Sequence, residues 1–371
     1  MSQSRRTFLQ TTGLATAGLA ISGLVPAKAA AAPKRLLIIG GTSFLGPAIV
    51  EAAQQQGMVV TLFNRGKTNP GMFPEVEKLV GDRNDPESKL KEVFAGRTWD
   101  AVIDTSAYFP RQVASMASVL TGAVKQYVFI SSVSVYKDMS VPIDEASAVA
   151  QLPPGVGTDR ASEKITEGNY GPFKALCEQA AQKAFPTGAV VIRPGFIVGP
   201  RDPSDRFTYW PVRVARGGQM LVPGTERDPL QVIDVRDLAE WICSMVQSQQ
   251  SGLFNATGPG GRLTMAELLV TCQALTKSNA RFSYLPVDKL KAADLLEAFP
   301  IWVPPDMRGM AQVSSARALA KGLRFRPLKQ TILDTLTWWN ALPAERRQKP
   351  RAGLTPEQEA AGLRLLGPSK T

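Results

Sequence analysis

The chain has 371 residues, of which 44% are hydrophobic and 20% are charged, so it can form one large domain or two closely packed lobes. Its formal net charge of +11 favours anionic partners such as nucleotides, sugar phosphates, nucleic acid or lipid headgroups, although exported proteins are often basic without such a partner. Histidine is absent, which excludes a Ser-His-Asp triad, a His-ligated zinc site and an imidazole base.

The first 32 residues have the pattern of an export signal. Adjacent arginines and an apolar pair occur in Arg5-Arg6-Thr7-Phe8-Leu9, and the stretch that follows is too polar to predict a membrane span. Ala27-Lys28-Ala29 matches an A-x-A cleavage site. We predict a twin-arginine signal peptide over residues 1–32, a twin-arginine translocase as partner during export and a periplasmic location. The alternatives are an uncleaved anchor and a basic start without a targeting role.

Residues 33–200 alternate apolar runs with amphipathic segments. The first run, Leu36-Leu37-Ile38-Ile39, is typical of a parallel strand buried on both faces. Five more strands are predicted at Met58–Phe63, Val76–Val80, Ala101–Asp104, Tyr127–Ile130 and Ala189–Ile192. Helices are predicted at Phe44–Gln56, Glu87–Phe94, Arg111–Leu120 and Phe173–Ala184. This alternation predicts an α/β fold with a Rossmann-like, doubly wound parallel sheet that binds NAD(P).

The pattern changes after residue 200, where shorter and mixed elements follow. We predict strands at Leu230–Ile233 and Leu253–Ala256, and helices at Val235–Val246 and Met265–Leu275. These elements would form a smaller C-terminal substrate-binding lobe over residues 201–341, built partly from interleaved segments. Residues 342–371 are polar, and a loose tail with one short helix is predicted there.

The three cysteines are Cys177, Cys243 and Cys272. Burial among apolar residues is the expected state of each thiol. An oxidising compartment leaves a Cys243–Cys272 disulfide open as an alternative. No C-x-x-C pair is present, and we predict no metal site.

A glycine-rich loop joins the first predicted strand to the first helix. This placement sets a dinucleotide's pyrophosphate against the helix N-terminus, and Gly46 allows helix and strand to pack closely. Ser43 stands where a G-x-x-G-x-x-G pattern has its middle glycine, so its side chain must point away or bind the phosphate. A plain tight turn is the alternative. The predicted cofactor contacts are Gly40, Thr42, Ser43, Phe44, Leu45 and Gly46.

The residues after the second strand bear on the choice between NAD and NADP. Enzymes that prefer NAD usually carry an acid there for the ribose, whereas this chain has Asn64, Arg65 and Lys67. Because an arginine can fork onto a 2′-phosphate, NADP is favoured and NAD is the alternative. Asp82 follows the third strand and is predicted to contact the adenine amino group. Solvated loop charges are the structural alternative.

Tyr170 and Lys174 lie four residues apart, which places them on one face of a helix. Tyrosine is a poor base at its ordinary pKa of about 10, but a neighbouring ammonium and a cationic nicotinamide both favour the phenolate. Tyr170 is therefore predicted to exchange a proton with a substrate hydroxyl, with Lys174 lowering its pKa. Ser131-Ser132 follows the fifth strand, where a serine hydroxyl can polarise the substrate oxygen. An ordinary helix face is the alternative.

Together these motifs resemble the extended short-chain dehydrogenase/reductases, the NAD-dependent epimerase/dehydratase group, over about residues 34–340. The segments that carry the resemblance are Gly40–Gly46, Val128–Tyr136, Tyr170–Lys174, Ile192–Pro200, Ile233–Ala239 and Gly322–Pro327. The resemblance implies that Ser132, Tyr170 and Lys174 are the catalytic residues. Thr105, Ser106 and Arg193, at the ends of the fourth and sixth strands, complete the predicted cofactor contacts.

The chain departs from the common pattern of that group in two further places. Asp104-Thr105-Ser106-Ala107 stands where sugar-nucleotide epimerases usually have a His-Leu-Ala-Ala-like stretch. The interval between Ser132 and Tyr170 is also longer than usual. These features resemble an atypical subgroup that includes chloroplast stem-loop RNA-binding proteins.

The leading hypothesis is an NAD(P)-dependent oxidoreductase or epimerase/dehydratase that acts on a carbinol or carbonyl of a sugar-like or other small molecule by hydride transfer. Export would separate the protein from NADPH, which favours chemistry that restores the cofactor. Arg201, Arg227 and Arg236 are candidates for binding an anionic substrate, with structural ion pairs as the alternative. An RNA-binding protein and a non-catalytic nucleotide-binding protein are the alternative functions, although export and the Ser/Tyr/Lys set argue against nucleic acid. The resemblance also makes a homodimer an expectation.

Overall fold

In this computed structural model residues 32–258 and 263–366 are described, and they form strands and α-helices numbered here along the chain. The strands are β1 (Arg35–Ile39), β2 (Val59–Asn64), β3 (Glu77–Val80), β4 (Trp99–Asp104), β5 (Val124–Ile130), β6 (Ala189–Pro194), β7 (Phe196–Val198), β8 (Gln219–Pro223), β9 (Pro229–Leu230), β10 (Val232–Asp234), β11 (Gly252–Ala256), β12 (Leu263–Thr264) and β13 (Arg281–Leu285). The helices are α1 (Leu45–Gln55), α2 (Glu87–Phe94), α3 (Pro110–Leu120), α4 (Glu167–Ala184), α5 (Tyr209–Ala215), α6 (Val235–Gln247), α7 (Met265–Thr276), α8 (Val287–Ala292), α9 (Ala316–Ala320), α10 (Leu328–Ala341), α11 (Ala344–Arg347) and α12 (Pro356–Arg364).

Seven strands form one parallel sheet in the order β3-β2-β1-β4-β5-β6-β11. Side chains alternate between the two faces of a strand, so a strand covered on both faces must be apolar throughout. In β1, Leu36 and Ile38 enter the core on one face, while Leu37 and Ile39 enter the core on the other. The strand order reverses between β1 and β4, which opens a crevice at their carboxyl ends. The predicted Rossmann-like sheet is confirmed.

Helices cover both faces of this sheet. The core on one face contains residues of α1 and α6, and the core on the other contains residues of α2, α3 and α4. A further apolar core, around the fully buried Trp210, joins α5, α7, α8 and α10 to the parallel ladder of β8 with β13 and the antiparallel ladder of β9 with β12. This last group is the smaller lobe that the sequence predicts.

Several predicted elements differ from the structure in their bounds or in their place in the fold. The strand predicted at Leu253–Ala256 is β11, which extends the central sheet beyond β6 and shows how the two lobes interleave. The strand predicted at Leu230–Ile233 is divided at Gln231, whose side chain bonds the backbone of Val313 at 3.0 and 2.8 Å. The helix predicted from Phe173 begins at Glu167, because the side chain of Asn169 accepts the backbone N–H of Thr166 at 2.8 Å.

The prediction of a loose tail after residue 342 is wrong for its described part, which ends at residue 366. Ala344–Arg347 form α11 and Pro356–Arg364 form α12, and each helix has a charge pair with the smaller lobe. The guanidinium of Arg213 donates to Glu359 of α12 at 3.0 and 2.8 Å, and Arg346 of α11 donates to Asp205 at 2.6 Å. These two charge pairs join residues distant in sequence, which composition alone does not reveal.

All three cysteines are buried, as predicted, and each is a free thiol. Cys243 lies in the core beside the sheet and Cys272 in the core of the smaller lobe, so the alternative of a Cys243–Cys272 disulfide is wrong. Within the described ranges no helix is long and apolar enough to cross a membrane. The predicted signal peptide and its cleavage motif lie outside the described residues.

Candidate active site

A cleft runs along the carboxyl edge of the sheet. One cavity of about 550 Å³ lies between the glycine loop, the end of β5, α4 and the segment after β6. A second cavity of about 340 Å³ lies between the same loop and the ends of β2 and β3. Gly40, Ser43, Ser106 and Tyr108 line both cavities, so the two form one elongated site.

The glycine loop has the geometry of a phosphate-binding turn. Gly40 and Gly41 have φ of 110° and 89°, a region that favours glycine, and a Cβ on Gly40 would lie 2.4 Å from Thr105 Oγ1. A Cβ on Gly46 would lie 2.5 Å from the Cα of Gly41, so the loop folds back onto α1. Phe44 provides no side-chain cap for α1, and the Gly46 N–H already donates to the Ser43 carbonyl at 3.0 Å. Because Pro47 has no N–H, an anion would meet the helix dipole and the loop N–H groups that remain.

The other predicted loop residues also lie along the cleft. Ser43 is exposed and lines both cavities, so the residue in the middle-glycine position faces the site. Phe44 and Leu45 line the larger cavity, and Thr42 lines the smaller one.

The smaller cavity contains the residues predicted to bind the adenosine end of a cofactor. Arg65, Lys67 and Asp82 line it. Asn64 lines it too, but its amide bonds the Gly40 carbonyl at 3.0 Å and the Gly66 N–H at 2.8 Å. Asn64 therefore braces the glycine loop, and the two cations beside it are the groups available to a ligand.

A buried ion pair supports the junction of the two cavities. Arg83 donates to both oxygens of Asp104 at 3.1 and 2.8 Å and to Ser106 Oγ at 3.0 Å, and Tyr127 donates to Asp104 at 2.7 Å. Burial by itself would raise the pKa of Asp104, but Arg83 and these hydrogen bonds hold it below its ordinary value. The sequence analysis did not identify Arg83 as a site residue. The signal that could have indicated it is Asp104, an acid at the end of an otherwise apolar strand, which needs a cationic partner when buried. Thr105 Oγ1 donates to the Ile39 carbonyl at 2.9 Å.

The three predicted catalytic residues, Ser132, Tyr170 and Lys174, line the larger cavity together. Ser132 Oγ donates to Ser134 Oγ at 3.0 Å and accepts the Ser134 N–H at 3.1 Å. Lys174 Nζ donates to the carbonyls of Ala107 at 3.0 Å and Ile130 at 2.6 Å, at the ends of β4 and β5. Lys174 thus ties α4 to the carboxyl ends of β4 and β5.

The charges around Tyr170 differ from the prediction. Burial raises the pKa of Tyr170, and nearby Tyr108 raises it further, while contact with Ser132 and the positive charge of Arg206 lower it. The cation that lowers the pKa of Tyr170 is Arg206, whereas Lys174 donates to backbone carbonyls. Desolvation lowers the pKa of Lys174 itself to about 8.

Helix α4 lies unusually close to the turn that follows β5. A Cβ on Gly171 would lie 1.9 Å from the carbonyl oxygen of Ser134, so a side chain at this position cannot be accommodated without a shift of the backbone. Because Gly171 is adjacent to Tyr170, this contact sets how near the phenol lies to Ser132.

Arg193, a predicted cofactor contact, does not line either cavity. It is 4% exposed and donates to Glu178 of α4 at 2.9 and 2.6 Å, with its guanidinium carbon 4.7 Å from the ring centroid of Tyr136. Glu178 also accepts a hydrogen bond of 2.5 Å from Ser131. Arg193 therefore has a structural role: it joins β6 to α4, the helix that carries Tyr170 and Lys174.

The arginines predicted to meet an anionic substrate lie elsewhere. Arg201 and Arg236 are held in ion pairs, and neither they nor Arg227 line the cleft. Arg206, which sequence reasoning missed, lines the larger cavity with its guanidinium carbon 5.4 Å from the ring centroid of Phe196. No carboxylate of the described residues forms an ion pair with Arg206. The same residues hold no cluster of carboxylates and thiols suited to a metal ion.

The chain matches a known protein family. Residues 36–256 match the sequence model described as the NAD dependent epimerase/dehydratase family. The chain is 25% identical over 273 residues to the chloroplast stem-loop binding protein of 41 kDa b of Arabidopsis thaliana, a match that covers 69% of this chain and 65% of that protein, just under two thirds of its length.

Solved structures share the fold at low sequence identity. The Bordetella bronchiseptica enzyme WbmH, solved in complex with NAD+, superposes with a TM-score of 0.61 at 17% identity, over 83% of this chain and 98% of that one. A UDP-glucose 4-epimerase superposes with a TM-score of 0.63 at 16% identity, over 84% of this chain and 98% of that one. At this level of identity the likeness establishes the fold.

Gly171→Ala is expected to lower the free energy of unfolding by about 1–3 kcal/mol, because the added methyl overlaps the Ser134 carbonyl. Gly168→Ala, on the same helix, is the matched control: a Cβ there meets nothing within 4 Å, and alanine is expected to stabilise the helix by about 0.5–1 kcal/mol. Urea unfolding measures both. Equal effects of the two substitutions would show that the close contact does not limit position 171.

The buried Lys174 predicts a pH dependence of stability. Its folded pKa of about 8 lies below the ordinary value, so the unfolded chain binds more protons between these two values and stability rises with pH in that window. Relative to Lys174→Met, the wild type is expected to gain about 3 kcal/mol from pH 8 to pH 10.5. Urea unfolding across this range tests it, with the exposed Lys183→Met as control. Parallel curves for wild type and Lys174→Met would contradict a depressed pKa.

Proposed function

Because the chain belongs to the NAD-dependent epimerase/dehydratase family, we propose that its cleft binds a nicotinamide dinucleotide and catalyses hydride transfer at a carbinol or carbonyl carbon of a small substrate. The observation that carries this proposal is the presence of Ser132, Tyr170 and Lys174 in one cavity that continues past the glycine loop into a second. Proton transfer and cofactor binding require such adjacent sites.

The residues of the cleft fit a dinucleotide. The turn at Gly40–Gly46 offers a helix N-terminus to the pyrophosphate, and a Cβ on Gly40 would narrow that turn. Asp82 lines the cavity suited to the adenosine end, and Lys174 lines the opposite one. The bound nicotinamide would supply or accept the hydride.

Tyr170 is the group that moves the proton. Burial keeps its pKa above the ordinary value, so its hydroxyl is protonated at neutral pH and can donate to a substrate carbonyl oxygen. Removal of a proton from a carbinol requires the phenolate, and the positive charge of Arg206 favours that form. Ser132, oriented by Ser134, would hold the substrate oxygen next to the phenol.

Three basic side chains suggest the class of cofactor and substrate. Arg65 and Lys67 are exposed, line the adenosine cavity and have no carboxylate partner among the described residues, which supports NADP over NAD. Arg206 is the second cation of the catalytic cavity and supports a substrate with an anionic group.

We extend the proposal to the cellular setting from the sequence pattern of residues 1–32. Export through the twin-arginine translocase would carry a folded, cofactor-loaded protein to the periplasm. Without a supply of reduced cofactor there, reactions that restore the cofactor within one catalytic cycle are favoured, such as epimerisation or dehydration. A homodimer, expected from the family resemblance, stays a prediction.

A test of the function starts from the full-length precursor. The exported protein would be recovered and denatured, and the released nucleotide identified by mass spectrometry. Stoichiometric NADP or NADPH is the expected result. Protein that carries no nucleotide and fails to bind added NAD or NADP would rule out the enzyme.

Tyr170→Phe is the matched variant for chemistry. It removes one hydroxyl from the cavity, so cofactor binding should be unchanged while turnover of a screened sugar or polyol falls at least 100-fold. Isotope exchange at the carbinol carbon measures that turnover. Retained turnover would remove Tyr170 from the mechanism.

Arg65→Ala is expected to weaken NADP binding about 10- to 100-fold and to leave NAD binding nearly unchanged, because only NADP carries the 2′-phosphate. Fluorescence titration of both cofactors measures the two affinities. Lys183→Ala is the control. This exposed cation lies near the end of α4 and precedes the amino end of β6, whereas the cleft lies at the carboxyl edge of the sheet. An equal loss for NAD and NADP would assign Arg65 to the pyrophosphate or to the fold.

Nucleic-acid binding is the second candidate function. One observation favours it: the Arabidopsis relative is named a stem-loop binding protein. Binding to RNA phosphates would weaken steeply as salt rises. A salt-dependent RNA affinity together with an empty nucleotide analysis would favour this function over the enzyme.

A further inference from the structure

The loop between β7 and α5 forms one wall of the catalytic cavity. Pro203 and Arg206 of this loop line the cavity that contains Tyr170. Between them, Asp205 is 1% exposed and has a φ of 58°. Aspartate is one of the non-glycine residues that adopt this left-handed conformation, and its contacts determine whether it is held there.

The C-terminal segment 343–366 supplies those surroundings. Arg346 donates to both carboxylate oxygens of Asp205 at 2.6 and 2.7 Å, and the backbone N–H of Arg351 donates to the same carboxylate at 2.9 Å. The guanidinium of Arg351 also donates to the Pro203 carbonyl at 2.8 Å. Within the described residues, every hydrogen bond to the Asp205 carboxylate therefore comes from this segment.

The segment is itself fixed on the smaller lobe. The guanidinium carbon of Arg346 lies 5.2 Å from the ring centroid of Trp339, and the same side chain donates to the Lys349 carbonyl at 3.1 Å. Gly353, with φ of 92°, lies so near Tyr209 that a Cβ would be 2.0 Å from the ring. Arg346 thus reaches Asp205 from a rigid support.

We propose that Arg346 is a positioning residue that, through Asp205, holds Arg206 in place to bind the anionic group of the substrate. The inference rests on the anion-binding role of Arg206 in the proposed function. A guanidinium forked onto a carboxylate fixes orientation as well as distance. Arg206 is tethered through its Nε to Ser204 Oγ at 3.0 Å, which leaves its two terminal nitrogens for a phosphate or carboxylate.

Calorimetric titration with inorganic pyrophosphate tests the proposal without knowledge of the substrate. The protein is first saturated with NADP, so that the cofactor's own phosphate sites are filled. Arg206→Ala is expected to weaken pyrophosphate binding at least tenfold, and Arg346→Ala about three- to tenfold. Arg346→Lys, which keeps the charge but not the fork, should fall between wild type and Arg346→Ala. Arg347→Ala removes an exposed neighbouring cation that donates to the Leu342 carbonyl, and this variant should bind as wild type.

The double variant Arg206→Ala/Arg346→Ala separates positioning from a general structural role. If Arg346 acts through Arg206, the double variant binds pyrophosphate no more weakly than Arg206→Ala alone. Additive losses, or wild-type affinity in Arg346→Ala, would overturn the proposal. Should Arg346→Ala fail to fold, Asp205→Asn replaces it, because asparagine tolerates the left-handed φ, removes the charge and turns one acceptor oxygen into a donor.

The same titration separates failure of the proposed function from failure of the positioning role. Failure to bind NADP at the loading step counts against the proposed function. Normal NADP binding without pyrophosphate binding in the wild type counts against the anion site at Arg206, and with it against the positioning role of Arg346.

Discussion

The candidate site depends on one close contact, the approach of α4 to the turn that follows β5. The carbonyl of Ser134 occupies the space that a side chain at Gly171 would need, so glycine at this position lets the helix lie against the strand end. The helix face that begins at Tyr170 continues, at intervals of four residues, through Lys174 and Glu178. Both of these side chains bond to groups at or beside the strand ends, so a single helix face orders the catalytic cavity.

That arrangement buries a lysine that forms no ion pair with a carboxylate of the described residues. Burial of an ammonium is unfavourable, and here it is offset by two backbone carbonyls and by the ring of Phe129, whose centroid lies 4.4 Å from Lys174 Nζ. Desolvation lowers the pKa of Lys174 to about 8, and these neutral groups compensate for it less than an adjacent carboxylate would. At the junction of the two cavities a buried charge does have an ionic partner, since Asp104 pairs with Arg83.

The sheet could be predicted from sequence because strands buried on both faces are apolar throughout and helices such as Glu87–Phe94 have clear periodicity. The glycine loop and the Tyr/Lys pair could be predicted because each depends on residues that are near in sequence. The partners of side chains that are distant in sequence could not be predicted in this way. Arg193 and Arg206 are both arginines close to predicted site elements, yet a carboxylate 15 residues away holds the first, while the second faces the cavity.

In the smaller lobe, contacts between residues distant in sequence affect the shape of the candidate site. The part of the chain that matches the family ends at residue 256, and it contains the Ser/Tyr/Lys set and the glycine loop. The loop that carries Pro203 and Arg206, however, is held by Arg346 and Arg351, far beyond that boundary. The family match therefore covers the glycine loop and the Ser/Tyr/Lys set, while residues outside the matched region fix a loop that lines the same cavity. For the same reason, the polar composition of residues 342–366 is compatible with a fixed structure, since Glu359 and Arg346 pair with Arg213 and Asp205 of the smaller lobe.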